Sequence, residues 1–158
     1  MIDTPMQNLE LKIPPPVVAA LTAAAMWGIA TLAPLVDAPT SIRVPLAIAL
    51  ALIGAAFDLS GVIAFRRSKT TVNPMKPDQA AALVCSGVYR LTRNPMYVGL
   101  VFVLASWAVY LSCAWALLGP AAFVLYMNRF QIQPEERALS ALFGSRYTAY
   151  KSSVRRWL

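Results

Sequence analysis

Residues 44–65 read VPLAIALALIGAAFDLSGVIAF, twenty-two residues with a single charged side chain, Asp58. About 20 apolar residues at 1.5 Å rise cross the hydrocarbon core of a bilayer, so this stretch is long enough to span one. Its flanks are basic, with Arg43 on one side and Arg66-Arg67 on the other. Three more apolar segments lie around it. Val17 to Val36 has no charge, and Pro14-Pro15-Pro16 blocks any helix from extending backwards. Met96 to Leu111 and Ala114 to Met127 are shorter and separated only by Ser112-Cys113. They read as a tight helical hairpin that either stops short of the far leaflet or extends into its polar flanks. The expected fold is all-α and membrane-integral: about four transmembrane helices and cytosolic amphipathic helices, in one domain over residues 1–158.

Composition agrees with that reading. The chain is 58% hydrophobic and 13% charged, against about 25% charge in a soluble domain. A net charge of +7 alone would fit nucleic acid. The charges avoid the apolar runs and flank them instead, which is the pattern of loops facing an anionic leaflet. Nucleic acid is therefore not an expected partner, whereas membrane lipids are. The chain has no histidine, which removes imidazole general bases and ligands. Cys85 and Cys113 fall on opposite sides of the expected membrane, so neither a disulfide nor a metal site is expected from them. A cleaved leader over residues 17–36 is disfavoured, because the segment before it is not basic and its apolar run exceeds a signal core.

Positive charge sets the orientation. Arg66, Arg67, Lys69, Lys76, Arg90 and Arg93 lie between the second and third spans. Arg129, Arg137, Arg146, Lys151, Arg155 and Arg156 follow the fourth, and Lys12 precedes the first. Only Arg43 is on the other side. By the positive-inside rule both termini, the loop 66–95 and the tail 128–158 face the cytosol across the inner membrane. Nearly all polar chain then sits on one face, where a soluble molecule can bind and a membrane molecule can approach sideways.

Within the loop, Pro74 and Pro77 favour extended or turned backbone. Asp78 is a candidate N-cap for the short apolar stretch Gln79 to Val84, and Ser86-Gly87 breaks that stretch. The stretch Gly87-Val88-Tyr89-Arg90-Leu91-Thr92-Arg93-Asn94-Pro95-Met96-Tyr97-Val98-Gly99 leads into an apolar helix. Pro95 suits a first helical turn and Asn94 its N-cap. That helix start can accept the carboxylate of an amino-acid-like ligand. Arg93 reads first as a snorkelling lipid anchor and only second as a ligand contact. Gly99 reads as room for a ligand or as a packing notch.

In the tail, Pro134-Glu135-Glu136 reads as a helix start, with Ala138, Leu139, Leu142 and Phe143 as its apolar face and Gly144 as its stop. Ser145 can cap a further helix carrying Tyr147, Tyr150 and Val154, and Trp157 with its arginines reads as an interfacial anchor. Glu135 and Glu136 either complement a helix dipole or hold a ligand's ammonium or ribose hydroxyls. Asp58 is the one intramembrane acid, a functional position by default. It either takes part in chemistry or is a buried partner for Arg93, Asn73 or a backbone group.

Taken together these residues resemble the isoprenylcysteine carboxyl methyltransferase family and its relatives among membrane phospholipid methyltransferases. Three blocks match in order: Thr70-Thr71-Val72-Asn73-Pro74 with Leu83-Val84-Cys85-Ser86-Gly87-Val88-Tyr89-Arg90; Arg93-Asn94-Pro95-Met96-Tyr97 with Gly99; and Glu135-Glu136 followed by Leu139, Phe143-Gly144, Tyr147 and Tyr150. The resemblance implies S-adenosylmethionine (SAM) bound at the cytosolic end of the last spans. It implies a pocket built by Arg93, Asn94, Pro95, Tyr97, Glu135 and Glu136, with Gly87, Tyr89 and Gly99 nearby. The reaction implied is methyl transfer to a lipophilic acceptor: an isoprenylcysteine-like carboxylate, a lipid amine or a thiol. Glu135, Glu136 or Asp58 would serve as base where one is needed. Family members with His at the position of Asn94 could use a titrating imidazole, which Asn94 cannot supply. Two other classes stay open: an inactive membrane scaffold of the same fold, and a small transporter subunit, which would want more intramembrane polar residues than Asp58.

Overall fold

In the computed structural model residues 10–68 and 75–158 are described, and every regular element among them is helical. The Thr70–Pro74 block, Lys69 and Asn73 lie outside the described residues. Helix α1 spans Pro15–Leu32 and begins inside the proline run, with Pro14 extended at φ −57° and ψ 135° as its cap. Helix α2 spans Thr40–Arg67 and α3 spans Pro95–Leu111. At 1.5 Å per residue α2 is about 42 Å long and α3 about 25 Å. A left-handed Ser112 (φ 53°) turns the chain, and a 3₁₀ turn, Ala114–Leu117, leads into α4, Leu118–Tyr126. That conformation is unfavourable for a non-glycine residue. Hydrogen bonds to the α1–α2 linker offset it: Ser112 Oγ donates to Val36 O at 2.7 Å and Val36 N donates to Ser112 O at 2.6 Å.

Beyond α4 the chain departs from the sequence expectation. Pro134 does not start a new helix. Helical backbone runs on through a π-helical segment, Met127–Ile132, into α5, Gln133–Phe143. A proline inside a helix has no N–H for the carbonyl four residues back and its ring collides with that carbonyl. Here that carbonyl belongs to Phe130, and it accepts a hydrogen bond from Leu11 N at 3.0 Å instead. Widening to π geometry just before Pro134 makes room for the ring. With no free helix start at residue 134, the dipole reading of Glu135 and Glu136 loses its basis. Gly144 does end α5, in a positive-φ conformation (52°), and α6 follows over Ser145–Ser153. Gly144, not Ser145, occupies the capping position, and no side chain caps that helix.

The helices pack through small residues. A Cβ added at Gly54 would lie 2.7 Å from the carbonyl of Gly99, and one added at Gly99 would lie 2.8 Å from the carbonyl of Gly54. Backbones of α2 and α3 thus touch, as small-residue seams allow. The same absence of a side chain at Gly99 makes room for Asp58, whose Oδ1 would be 2.3 Å from that Cβ. Gly99 is a packing notch, and Asp58 sits against it. On the other side α1 joins α3 and α4 around Met26, Leu104, Ala116, Phe123 and Met127, all buried. Trp107 Nε1 donates to Ala23 O at 3.0 Å and Ser106 Oγ to Ala47 O at 2.7 Å, so α3 is tied to both neighbours.

Helices α1 and α2 are long and apolar enough to cross a membrane. Only 22% and 17% of their most apolar stretches are buried. Leu21, Trp27, Leu32, Leu46, Leu52 and Leu59 are exposed.

Candidate active site

The loop after α2 returns the chain to the start of α3. A 3₁₀ turn at Pro77–Gln79 contains Asp78, which caps nothing, and residues 80–84 form no helix. A second 3₁₀ turn, Gly87–Arg90, is opened by Gly87 at φ 61° and buries Tyr89. Tyr89 packs edge-on against Phe65 of α2, and its carbonyl accepts a hydrogen bond from Tyr150 Oη at 2.7 Å. Removing that hydroxyl in Tyr150→Phe would leave the Tyr89 carbonyl unpaired, so we expect a loss of about 1–3 kcal/mol in denaturant unfolding. An unchanged midpoint would show the contact to be dispensable.

Around these pieces lies a hollow of about 830 Å³, a figure that includes the open solvent at its mouth. Arg93, Asn94 and Tyr97 come from the start of α3, Glu135, Glu136 and Leu139 from α5, Tyr147 and Tyr150 from α6, and Tyr89 from the loop. Tyr97 and Glu136, thirty-nine positions apart, thus share one wall. Of the remaining candidates, Pro95 starts α3 beside the hollow, whereas Gly87, Gly99 and Asp58 do not line it. Asp58 and Gly99 face each other in the α2–α3 seam.

Two acids share the site but not their partners. The Glu136 carboxylate lies between two guanidiniums. Arg156 reaches it with Nε to Oε1 at 3.0 Å and Nη2 to Oε2 at 2.8 Å, and Arg93 Nη2 lies 3.1 Å from Oε1. Glu135 has no cationic partner among the described residues. Its Oε1 accepts hydrogen bonds from Tyr97 Oη at 2.5 Å and Gln131 Nε2 at 2.6 Å. Burial pushes its carboxyl up to about 7, against those two hydrogen bonds, which pull it down. Burial also pushes the phenols of Tyr89, Tyr147 and Tyr150 up, Tyr147 to about 12, so all three stay neutral near pH 7.

Arg93 is the other residue left wanting. Arg93 lines the hollow, and its Nε and Nη1 are buried and meet no hydrogen-bond acceptor among the described residues. Asn94 occupies the N-cap position of α3, but its side chain caps nothing. Its Nδ2 instead donates to the carbonyl of Arg156 at 2.9 Å. The helix's first turn is therefore left without a side-chain acceptor beside the two orphaned Arg93 donors.

Gln131, Arg156, Phe65 and Met96 carry parts of this site without having been singled out as candidates. Gln131 stands four residues before Glu135, a helical i, i+4 pair. That spacing was readable, but a helix start at Pro134 would have put the two on separate elements. Trp157 Nε1 donates to Asn128 Oδ1 at 3.1 Å, and its ring, partly buried, packs against the core.

The architecture is all-helical among the described residues, with two helices long and apolar enough to cross a membrane and a pocket at the start of α3 lined by Arg93, Glu135 and Glu136. The chain belongs to the phospholipid methyltransferase family, whose sequence model matches residues 42–146. That match contains Tyr89, Arg93, Asn94, Tyr97, Glu135, Glu136 and Leu139 of the hollow's lining, and ends just before Tyr147 and Tyr150. An uncharacterised protein of Haemophilus influenzae is 44% identical over 63 residues, which is 40% of this chain and the whole of that protein. No solved structure matches the fold.

Proposed function

We propose that this protein transfers methyl groups from SAM to a lipophilic acceptor at the cytosolic face of the inner membrane. On this reading α1, α2, α3 and residues 114–127 are four spans, with residues 128–158 and both termini cytosolic. The clustering of arginines at the pocket's end of the molecule supports that orientation. The observation that carries the function is the meeting of two groups at one hollow: Arg93, with two buried donors unpartnered among the described residues, and a Glu135 carboxylate without a cation among them. A zwitterionic amino-acid end, such as SAM carries, satisfies both. Its carboxylate would go to Arg93 and the start of α3, and its ammonium to Glu135. The residues present therefore fit the methyl donor.

SAM supplies a methyl group already activated on a sulfonium. The chain's own task is to orient donor and acceptor and exclude water. The neutral ring faces of Tyr89 and Tyr147 suit a cationic centre. Helices α2 and α3 are in backbone contact at Gly54 and Gly99, whereas Phe65 and Met96 line the hollow. Lateral entry of the acceptor between second span and hairpin is thus confined to the cytosolic end. An isoprenylcysteine-like carboxylate needs no base, while an amine or thiol would give its proton to Glu135.

The test is titration of the purified protein with SAM and with its demethylated product. A transfer assay with labelled SAM against a membrane lipid extract should follow, with the labelled product identified by mass spectrometry. Absence of binding by the wild type would sink the proposal. The Glu135 carboxyl sets a pH dependence. Ionised above about pH 7, it should raise SAM affinity up to about tenfold between pH 6 and 8. Stability runs the other way. The folded-state value exceeds the ordinary 4.5, so the native state holds the proton more tightly, and stability falls as pH rises from about 4.5 to 7. Glu135→Gln should flatten both profiles, and a variant that keeps either slope would assign it elsewhere.

A further inference from the structure

The last residues of the chain enter the site from outside every sequence block that pointed to it. Arg93 N donates to the carbonyl of Arg155 at 2.9 Å. Thr92 Oγ1, on a fully buried residue, and Asn94 Nδ2 both donate to the carbonyl of Arg156, at 3.0 and 2.9 Å. The backbone of residues 155–156 is thus laced along the segment Thr92–Asn94, and the Arg156 side chain turns back onto Glu136. With Arg156 on both oxygens of Glu136, Arg93 keeps a single contact there, through Nη2, and its Nε and Nη1 stay free.

We propose that Arg156 is a positioning residue for donor binding: by occupying Glu136 it prevents Arg93 from pairing fully with that carboxylate and keeps two guanidinium N–H groups available for the carboxylate of SAM. This rests on the reading of the pocket as a SAM site. The physical reason is competition. A buried guanidinium beside a carboxylate adopts the two-pronged pairing that satisfies its donors. Without Arg156, Glu136 offers Arg93 that pairing inside the protein, and a ligand then has to break it. Arg156 makes its claim from a segment whose backbone is fixed independently by three hydrogen bonds. Removing the side chain therefore leaves the segment in place.

The experiment is a double-mutant cycle on the purified full-length protein, read by equilibrium titration with SAM, with thermal unfolding recorded for each variant. Arg156→Ala should weaken SAM binding about tenfold, a size typical of coupled neighbours. Arg156→Lys, which keeps a cation on Glu136, should recover part of the loss. Adding Glu136→Gln to Arg156→Ala removes the carboxylate that captures Arg93, so the double variant should bind within about threefold of wild type. A residue that only supports the fold gives the opposite pattern, with the double variant as weak as the single or weaker, and that result overturns the proposal. So does wild-type affinity in Arg156→Ala. If Arg156→Ala does not fold, Arg156→Gln with and without Glu136→Gln gives the same comparison. A wild type that fails to bind SAM removes the pocket assignment and this inference together. Binding by wild type with no rescue removes this inference alone.

Discussion

If the pocket holds SAM as proposed, Arg93→Ala should lower the affinity for it about a hundredfold in an equilibrium titration. The variant removes a pocket-lining residue with two buried donors that have no partner among the described residues. A hydrogen bond to a charged group contributes about 1.5–3 kcal/mol, so two come to at least about 3 kcal/mol. Each 1.4 kcal/mol is about tenfold in affinity. Folding should suffer less, because Glu136 keeps its two-pronged contact with Arg156. Arg93→Lys should recover only a minor part, since an ammonium on a flexible stem does not reproduce the fork of a guanidinium. Affinity within threefold of wild type in Arg93→Ala would remove the carboxylate from this end of the pocket.

The largest loss of stability is expected at Gly99→Ala, about 3 kcal/mol or more in a denaturant titration of the detergent-solubilised protein. The added methyl would lie 2.3 Å from Asp58 Oδ1 and 2.8 Å from the carbonyl of Gly54. A backbone carbonyl cannot rotate away, so relief requires α2 and α3 to part along their seam. The contrast is Gly119→Ala, where the obstacle is Met26, with its sulfur 2.3 Å from the added atom. An unbranched thioether side chain has other rotamers, so the cost there should be the smaller of the two. A Gly99→Ala protein as stable as Gly119→Ala would show that the α2–α3 seam yields more readily than its geometry implies. Because α3 also carries Arg93, Asn94 and Tyr97 to the pocket, the same substitution should weaken SAM binding.

Much of this was readable along the chain. The start of α3 at Pro95 was readable from residue type and neighbouring apolar runs, whereas the assignment of the Arg93–Tyr97 block and the Glu135-Glu136 pair to one pocket came from the family resemblance, and the helix start expected at Pro134 is absent. The roles within the block and the pair were not readable. Glu135 and Glu136 are adjacent and alike in sequence, yet one is clasped by two arginines and the other is enclosed without a cation. Nothing local separates them, since the difference lies in which way each side chain leaves α5 and what waits there. Asn94 looked like a helix cap, but its amide is drawn away by the carbonyl of Arg156, sixty-two residues later.

The sequence by itself determined the apolar helices, the concentration of basic residues at one end, and the two polar segments from which a site had to be built. Hydrophobic period and charge are properties of short stretches, and short stretches suffice to read them. Tertiary structure decided which carboxylate is free, that Pro134 sits within a continuous helix whose orphaned carbonyl is taken by Leu11, and that the chain's end closes on its own pocket. Those outcomes depend on contacts between residues far apart in the chain, where small differences in distance and burial decide which hydrogen bond is made.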